Sequence, residues 1–145
     1  MRNGRMPVRE KCVAMRKLLI VEDSATVRAF VKSALEDAAF QERVGDCEIS
    51  EATCGFDAMR VLPRVRYDLI VTDINMKDIN GLELIHFIRR SEHHREVPLV
   101  IISSQGAVRD IDRGLALGAS AYLPKPFTPE LLRDTCARLL EPTPA

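Results

Sequence analysis

The sequence predicts an α/β domain: one open, parallel, five-stranded sheet with helices on both faces. Three observations lead there. Short continuous apolar runs recur along the chain, as strands buried on both faces require. Stretches with apolar residues at helical spacing alternate with them, giving five strand-then-helix units. The 145 residues suffice for one core and not for two.

Residues 1–16 show no clear periodicity and are expected to form a mobile arm, with Met15 as an alternative start. The domain proper is expected over 17–140. Leu18 to Val21 is the first strand. Val27, Phe30, Val31, Ala34, Leu35 and Ala38 then form one apolar stripe, with Ser24 placed to cap it. Gln41 to Asp46 reads as a long connection away from the strand ends. Cys47 to Ala52 alternates apolar with polar and suits an edge strand. Phe56, Met59 and Leu62 mark the second helix, after Gly55. Leu69 to Val71 is the third strand, and Leu82, Ile85 and Ile88 form the third helix after Gly81, where glycine permits a tight turn. Leu99 to Ile102 is the fourth strand, and Val108, Ile111 and Leu115 form a helix ending near Gly118. Ala121 to Leu123 is a short fifth strand. The last helix has Thr128 as cap, Pro129 at its first position and a stripe of Leu131, Leu132, Cys136, Leu139 and Leu140. Glu141 to Ala145, with two prolines, reads as a tail or linker stub.

Lys plus Arg equals Asp plus Glu at 21 each, so no net charge draws the chain to nucleic acid or a membrane surface. No apolar run is long enough to cross a bilayer, and the first sixteen residues lack the apolar core of a secretory signal. Cys12, Cys47, Cys54 and Cys136 are scattered, without a Cys-x-x-Cys pair. Free thiols and a cytoplasmic location are expected.

In an open α/β sheet the functional site lies beyond the carboxyl ends of the strands. Glu22 and Asp23 follow the first strand, Asp73 ends the third, Ser103 ends the fourth and Lys125 follows the fifth. Three carboxylates together oppose one another's ionisation, which a divalent cation relieves. Mg²⁺ prefers oxygen ligands and retains waters. A carboxylate beside it can act as a nucleophile toward phosphorus, giving an aspartyl phosphate. The metal, the Lys125 ammonium and the Ser103 hydroxyl would then each meet one phosphoryl oxygen. Taken singly, each residue has a plain reading as a cap, a surface charge or a loop hydroxyl. Their joint placement is the informative fact.

LLIVEDS at 18–24, YDLIVTDINMKDINGLEL at 67–84, VPLVIISS at 97–104 and GASAYLPKPF at 118–127 resemble the response-regulator receiver family, including its single-domain chemotaxis members. The resemblance spans about residues 17–140 and implies a flavodoxin-like sheet of order 2-1-3-4-5. It implies Asp73 as phosphoacceptor, Asp23 as direct Mg²⁺ ligand, Glu22 as a ligand through water, and the Asn75 main-chain carbonyl as a further ligand. Mn²⁺ would substitute for Mg²⁺. Ser103 and Tyr122 take the switch positions, Lys125 the phosphate-binding position, and Lys125–Pro126 is expected to be cis. The implied donor is a histidine kinase or histidine phosphotransfer protein, and the output an unidentified protein target. That target would be reached through the fourth helix, fifth strand and fifth helix of a monomer or phosphorylation-dependent dimer. Such a domain promotes its own phosphorylation and dephosphorylation and is not a conventional turnover enzyme.

Lys77 departs from the family, standing where proline is usual. Asn75 and Gln105 flank the expected path of attacking water, and His86, His93 and His94 are expected to be solvated. Two other readings remain: the receiver portion of a longer regulator or hybrid kinase, and, remotely, an aspartate-nucleophile phosphatase. The latter expects a second Asp where Asn75 stands.

Overall fold

A computed structural model of the protein describes residues 15–104 and 108–141. The eleven elements are β1 (Arg16–Val21), α1 (Ala25–Leu35), α2 (Ala38–Val44), β2 (Cys47–Ala52), α3 (Gly55–Val61), β3 (Leu69–Asp73), α4 (Gly81–Arg90), β4 (Leu99–Ser103), α5 (Val108–Ala116), β5 (Ala121–Pro124) and α6 (Pro129–Leu140). The sheet is wholly parallel in the order β2-β1-β3-β4-β5, as expected.

Strand pleating sends alternate residues to opposite faces, and the apolar runs therefore feed two cores. Leu18, Ile20, Leu69, Val71, Val100 and Ile102 pack against α1, α2 and α6. Leu19, Val21, Ile70, Leu99 and Ile101 pack against α3, α4 and α5. Every residue of β3 and β4 is buried. The edge strands differ: β2 leaves Glu48 and Glu51 exposed, and β5 is four residues long and ends in Pro124. No helix among the described residues is long and apolar enough to cross a membrane.

The first helical stripe is two helices. Ser24 caps α1 as expected, its hydroxyl accepting from the Val27 N–H. The chain then breaks at Glu36, and the Asp37 carboxylate accepts from the Phe40 N–H to start α2. A short side-chain acceptor competes with the helical backbone and favours such a restart. Ala38 thus belongs to α2, and the expected 41–46 connection is mostly helix. Phe40 and Val44, four residues apart, are its buried face. The surface expected on the fourth helix, fifth strand and fifth helix is accordingly α5, β5 and α6.

Several apolar residues expected on inner faces are exposed: Phe30 at 38%, Phe56 at 54%, Leu115 at 42% and Leu131 at 45%. In α6 the inner face is set by Leu132, Cys136 and Leu140, so Leu131 is one position off it. In α3 only Gly55 and Ala58 are buried, with Leu62 at the C-cap, and Phe56 points elsewhere.

Arg16, assigned by sequence to the arm, opens β1: its N–H donates to the Asp46 carbonyl and its Nε to that of Val44. Glu141, assigned to the tail, is the C-cap of α6 and pairs with Arg43 of α2. Met15 is exposed, while residues 1–14 with Cys12, residues 142–145 and Gln105 lie outside the described residues, as does the Val108 side chain.

His86 and His93 are exposed, but His94 is fully buried, contrary to expectation. Its Nε2 accepts the Tyr67 N–H at 3.0 Å, and its ring stacks on Tyr67. Its Nδ1 has no partner. Cys47, Cys54 and Cys136 are free thiols, and burial pushes Cys136 up to about 12.

Candidate functional site

The carboxyl ends of β1, β3 and β5 bring the expected charged residues together. Carboxylate oxygens of Glu22, Asp23 and Asp73 lie within 4.8 Å of one another. The Lys125 ammonium reaches over from the fifth strand, 3.2 Å from Glu22 Oε1 and 3.3 Å from Asp73 Oδ2. Lys125–Pro126 is cis, and the Lys125 N–H donates to the Ser103 carbonyl at 2.7 Å.

Glu22 is fully buried and Asp73 is 3% exposed. Glu22 Oε2 accepts the Ser24 N–H at 3.0 Å. Its carboxyl is nonetheless raised above the ordinary glutamate range: burial is the largest cause, and Asp73 adds to it against the opposing Ser24 amide and Lys125. Three carboxylates facing one ammonium form an under-neutralised, all-oxygen cluster, the donor set that a hard divalent cation such as Mg²⁺ fits. Asp73 Oδ1 accepts the Asn75 N–H at 3.2 Å, which ties the loop after β3 to Asp73 itself.

Ser103 and Tyr122 are placed but not engaged. Ser103 is fully buried, and its Oγ donates to its neighbour's carbonyl, Ser104, at 3.4 Å. Tyr122 is half-buried against the core face that holds α3, α4 and α5.

Two features of the loop between β3 and α4 were not read from the sequence. Gly81 does not serve a left-handed turn; only Gly45 and Gly118 have positive φ among the described residues. It allows close approach instead: its N–H donates to the Ile74 carbonyl at 2.8 Å, and a Cβ there would lie 2.7 Å from the Asp73 carbonyl oxygen. Asp78 reaches across to α3, where its carboxylate accepts the N–H groups of Gly55 and Phe56. Neither interaction has a sequence signal, because the partners are backbone groups distant along the chain.

Lys77 is exposed and lines a pocket of about 450 Å³ with Asp23, Ser24, Thr53, Cys54 and Asp78. On the other side of the site Phe30 and Phe127 meet at 5.6 Å between ring centroids, beside Lys125 and Pro126.

Comparison with known proteins agrees with this fold. The model for the response regulator receiver domain matches residues 18–137. Chemotaxis protein CheY1 of Helicobacter pylori is 33% identical over 119 residues, covering 81% of this chain and 91% of that protein. Among solved structures, the chemotaxis response regulator CheY4 of Vibrio cholerae superposes with a TM-score of 0.76 at 30% identity, covering 86% of this chain and 98% of that one. The receiver domain of the sensor histidine kinase PA1611 of Pseudomonas aeruginosa, solved with a magnesium ion in its active-site cleft, has a TM-score of 0.75 at 25% identity, covering 88% and 98%.

Proposed function

Because the chain belongs to the response regulator receiver family, we propose that it is a phosphorylatable switch of a two-component system, with Asp73 as phosphoacceptor. The observation that carries this is the Lys125 ammonium held between two buried carboxylates, Glu22 and Asp73, at the mouth of the sheet. An Asp73 oxygen attacks phosphorus while the bond from phosphorus to a donor imidazole breaks. The bonding pair leaves with the imidazole nitrogen, which then takes up a proton. Lys125 meets one phosphoryl oxygen and Ser103 another once its weak bond to Ser104 is given up. Asp23, Asp73, the Asn75 main-chain carbonyl and, through water, Glu22 would hold Mg²⁺, which would supply neutralising charge there.

The donor is a histidine kinase or a histidine phosphotransfer protein. Movement of Ser103 toward the phosphoryl group frees space into which Tyr122 turns, and the α5–β5–α6 surface changes its preference for a protein target. Phosphorylation adds roughly −1.5 to −2 charge, and a population swing from 1:99 to 99:1 needs about 5.5 kcal/mol of differential stabilisation. The chain works in the cytoplasm and is not a turnover enzyme. The PA1611 likeness keeps a second reading, a receiver within a longer regulator or hybrid kinase, which gene context separates from a stand-alone protein. The family match leaves the phosphatase reading without support.

Incubation with Mg²⁺ and acetyl phosphate, followed by intact mass, tests the assignment. One acid-stable, base-labile phosphoryl group is expected, and none on Asp73→Asn. Labelling that survives this substitution would overturn it. If acetyl phosphate labels neither protein, a phosphorylated histidine donor replaces it in the same comparison.

A further inference from the structure

The loop that must present the Asn75 carbonyl runs from Ile74 to Asn80 and lacks the proline usual at position 77. Its ends are fixed. The Ile74 N–H donates to the Ile102 carbonyl at 3.3 Å, and the Gly81 N–H donates back to Ile74. The Asn80 side chain caps α4 through the Leu82 N–H at 2.7 Å. Between these ends two side chains hold the loop by hydrogen bonds among the described residues: Asp73, whose Oδ1 accepts the Asn75 N–H at 3.2 Å, and a second that reaches another helix, α3.

That second side chain is Asp78. Its Oδ1 accepts the N–H groups of Gly55 at 3.1 Å and Ile79 at 2.8 Å, and its Oδ2 that of Phe56 at 2.9 Å. Burial opposes its ionisation, but the Phe56 amide, the Cys54 thiol and the Gly55 and Ile79 amides outweigh it and hold the carboxyl at about 2. Beside it, Ile79 lies so close over Gly55 that a Cβ on Gly55 would lie 1.7 Å from Ile79 Cγ2. One charged contact and one steric fit thus dock the phosphoacceptor loop on the first turn of α3.

We propose that Asp78 is a positioning residue for the metal site: by docking the 75–79 loop on α3 it holds, together with the Asp73 bond to the Asn75 N–H, the Asn75 main-chain carbonyl in place, the constraint that a proline at 77 would otherwise help supply. The proposal rests on the receiver reading above. An uncharged or shortened side chain leaves the Gly55 and Phe56 amides to water and frees the middle of the loop, so Mg²⁺ binding must then order it. Groups that orient a metal's ligands are typically worth about 10- to 100-fold in metal affinity. The lower end is expected here, because only one of the ligands is carried by the loop.

The test is Mg²⁺ titration by calorimetry at a temperature where every variant is folded, with amide hydrogen exchange measured on the metal-free proteins. Asp78→Ala is expected to weaken Mg²⁺ binding roughly tenfold and to speed exchange of the 75–79 amides without Mg²⁺. Asp78→Asn keeps one accepting oxygen and should fall between; it is measured alone if the alanine variant does not fold. Asp57→Ala is the control. Asp57 accepts from Thr53 Oγ1 at 2.7 Å in the same first turn of α3 and makes no contact with the loop in the described hydrogen bonds. It should lower thermal stability and leave Mg²⁺ affinity unchanged. Equal affinity in wild type and the Asp78 variants overturns the proposal, and so does an equal loss in Asp57→Ala. Failure of the wild type to bind Mg²⁺ removes the receiver reading at this site and the proposal with it.

Discussion

Glu22 is a residue that the fold tolerates for the sake of the site. Its carboxylate is fully buried, and its pKa is raised first by that burial and then by Asp73. A carboxyl whose folded pKa lies above its unfolded value favours the folded state most when protonated. Its contribution is complete below an unfolded value of roughly 4.3 and is lost as pH rises through the folded pKa. Above that folded pKa the ionised group therefore works against folding of the metal-free protein. Glu22→Gln keeps an oxygen for Lys125 and removes the charge. In EDTA its Tm is expected to exceed that of wild type by about 2–4 °C for each kcal/mol relieved. In saturating Mg²⁺ the order should shrink or reverse, since ligand binding stabilises the protein that binds it better. A lower Tm for Glu22→Gln in EDTA would sink this account. The same residue shows what a sequence discloses. Glu22, Asp23, Asp73 and Lys125 stand out as charged groups ending apolar runs. Asp78 does not, because an aspartate bonded to backbone amides looks like any loop aspartate.

Among the elements, α4 and α5 are joined at their carboxyl ends by one guanidinium. Arg89 Nε and Nη2 donate to the Gly118 carbonyl at 3.1 and 2.7 Å, while Nη1 donates to the His94 and Arg95 carbonyls at 3.0 and 3.2 Å. Desolvation lowers the Arg89 pKa, yet it remains a cation, and its planar fork suits three carbonyls as an ammonium would not. Gly118, at φ +115°, leaves room for it: a Cβ there would lie 3.0 Å from Arg89 Nε. Hydrogen bonds to charged groups contribute about 1.5–3 kcal/mol, so Arg89→Ala should cost on the order of 2 kcal/mol by urea denaturation, with Arg89→Lys recovering little of it. Full recovery by lysine would show that charge alone matters. This joint was invisible in the sequence, which shows an arginine at a helix end and no more. The α1–α2 break was hidden for a different reason. A seven-residue helix is too short to declare a period, and Ala38 prolongs the preceding stripe. The longer helices were legible because their buried faces repeat through several turns, although Leu131 and Phe56 show that the inner face was misjudged by one position.

At the scale of the molecule, the two ends of the sheet are built on different principles. The carboxyl end concentrates charge. The amino end is closed by a neutral imidazole: His94, ahead of β4, accepts from Tyr67, ahead of β3. Because Nε2 accepts, the proton of the neutral ring lies on Nδ1, and a second proton would break the contact. Burial lowers the His94 pKa, and His93 and Arg66 add to that. For a depressed histidine, stability is present above the unfolded value of about 6.5 and is lost as pH falls through the folded pKa. Wild type should therefore lose Tm between about pH 7 and 5.5 more steeply than His94→Gln, which retains an acceptor without titrating. Parallel melting curves across that range would refute the assignment. The overall plan was readable because each apolar run declares a strand buried on both faces. A buried histidine was not, since polarity alone suggests solvent.

The sheet's two borders have a consequence for how the molecule meets others. An open strand edge invites another chain to extend the ladder through main-chain hydrogen bonds. Here one border exposes the carboxylates of Glu48 and Glu51, the latter already engaged by Arg28 and Lys32. The other is only four residues long and closes on Pro124, which has no N–H to offer. Neither border is a template for strand addition. Recognition is left to side chains displayed on helices and loops, where, on the function proposed above, a charge added at Asp73 would alter what is displayed without disturbing the ladder beneath.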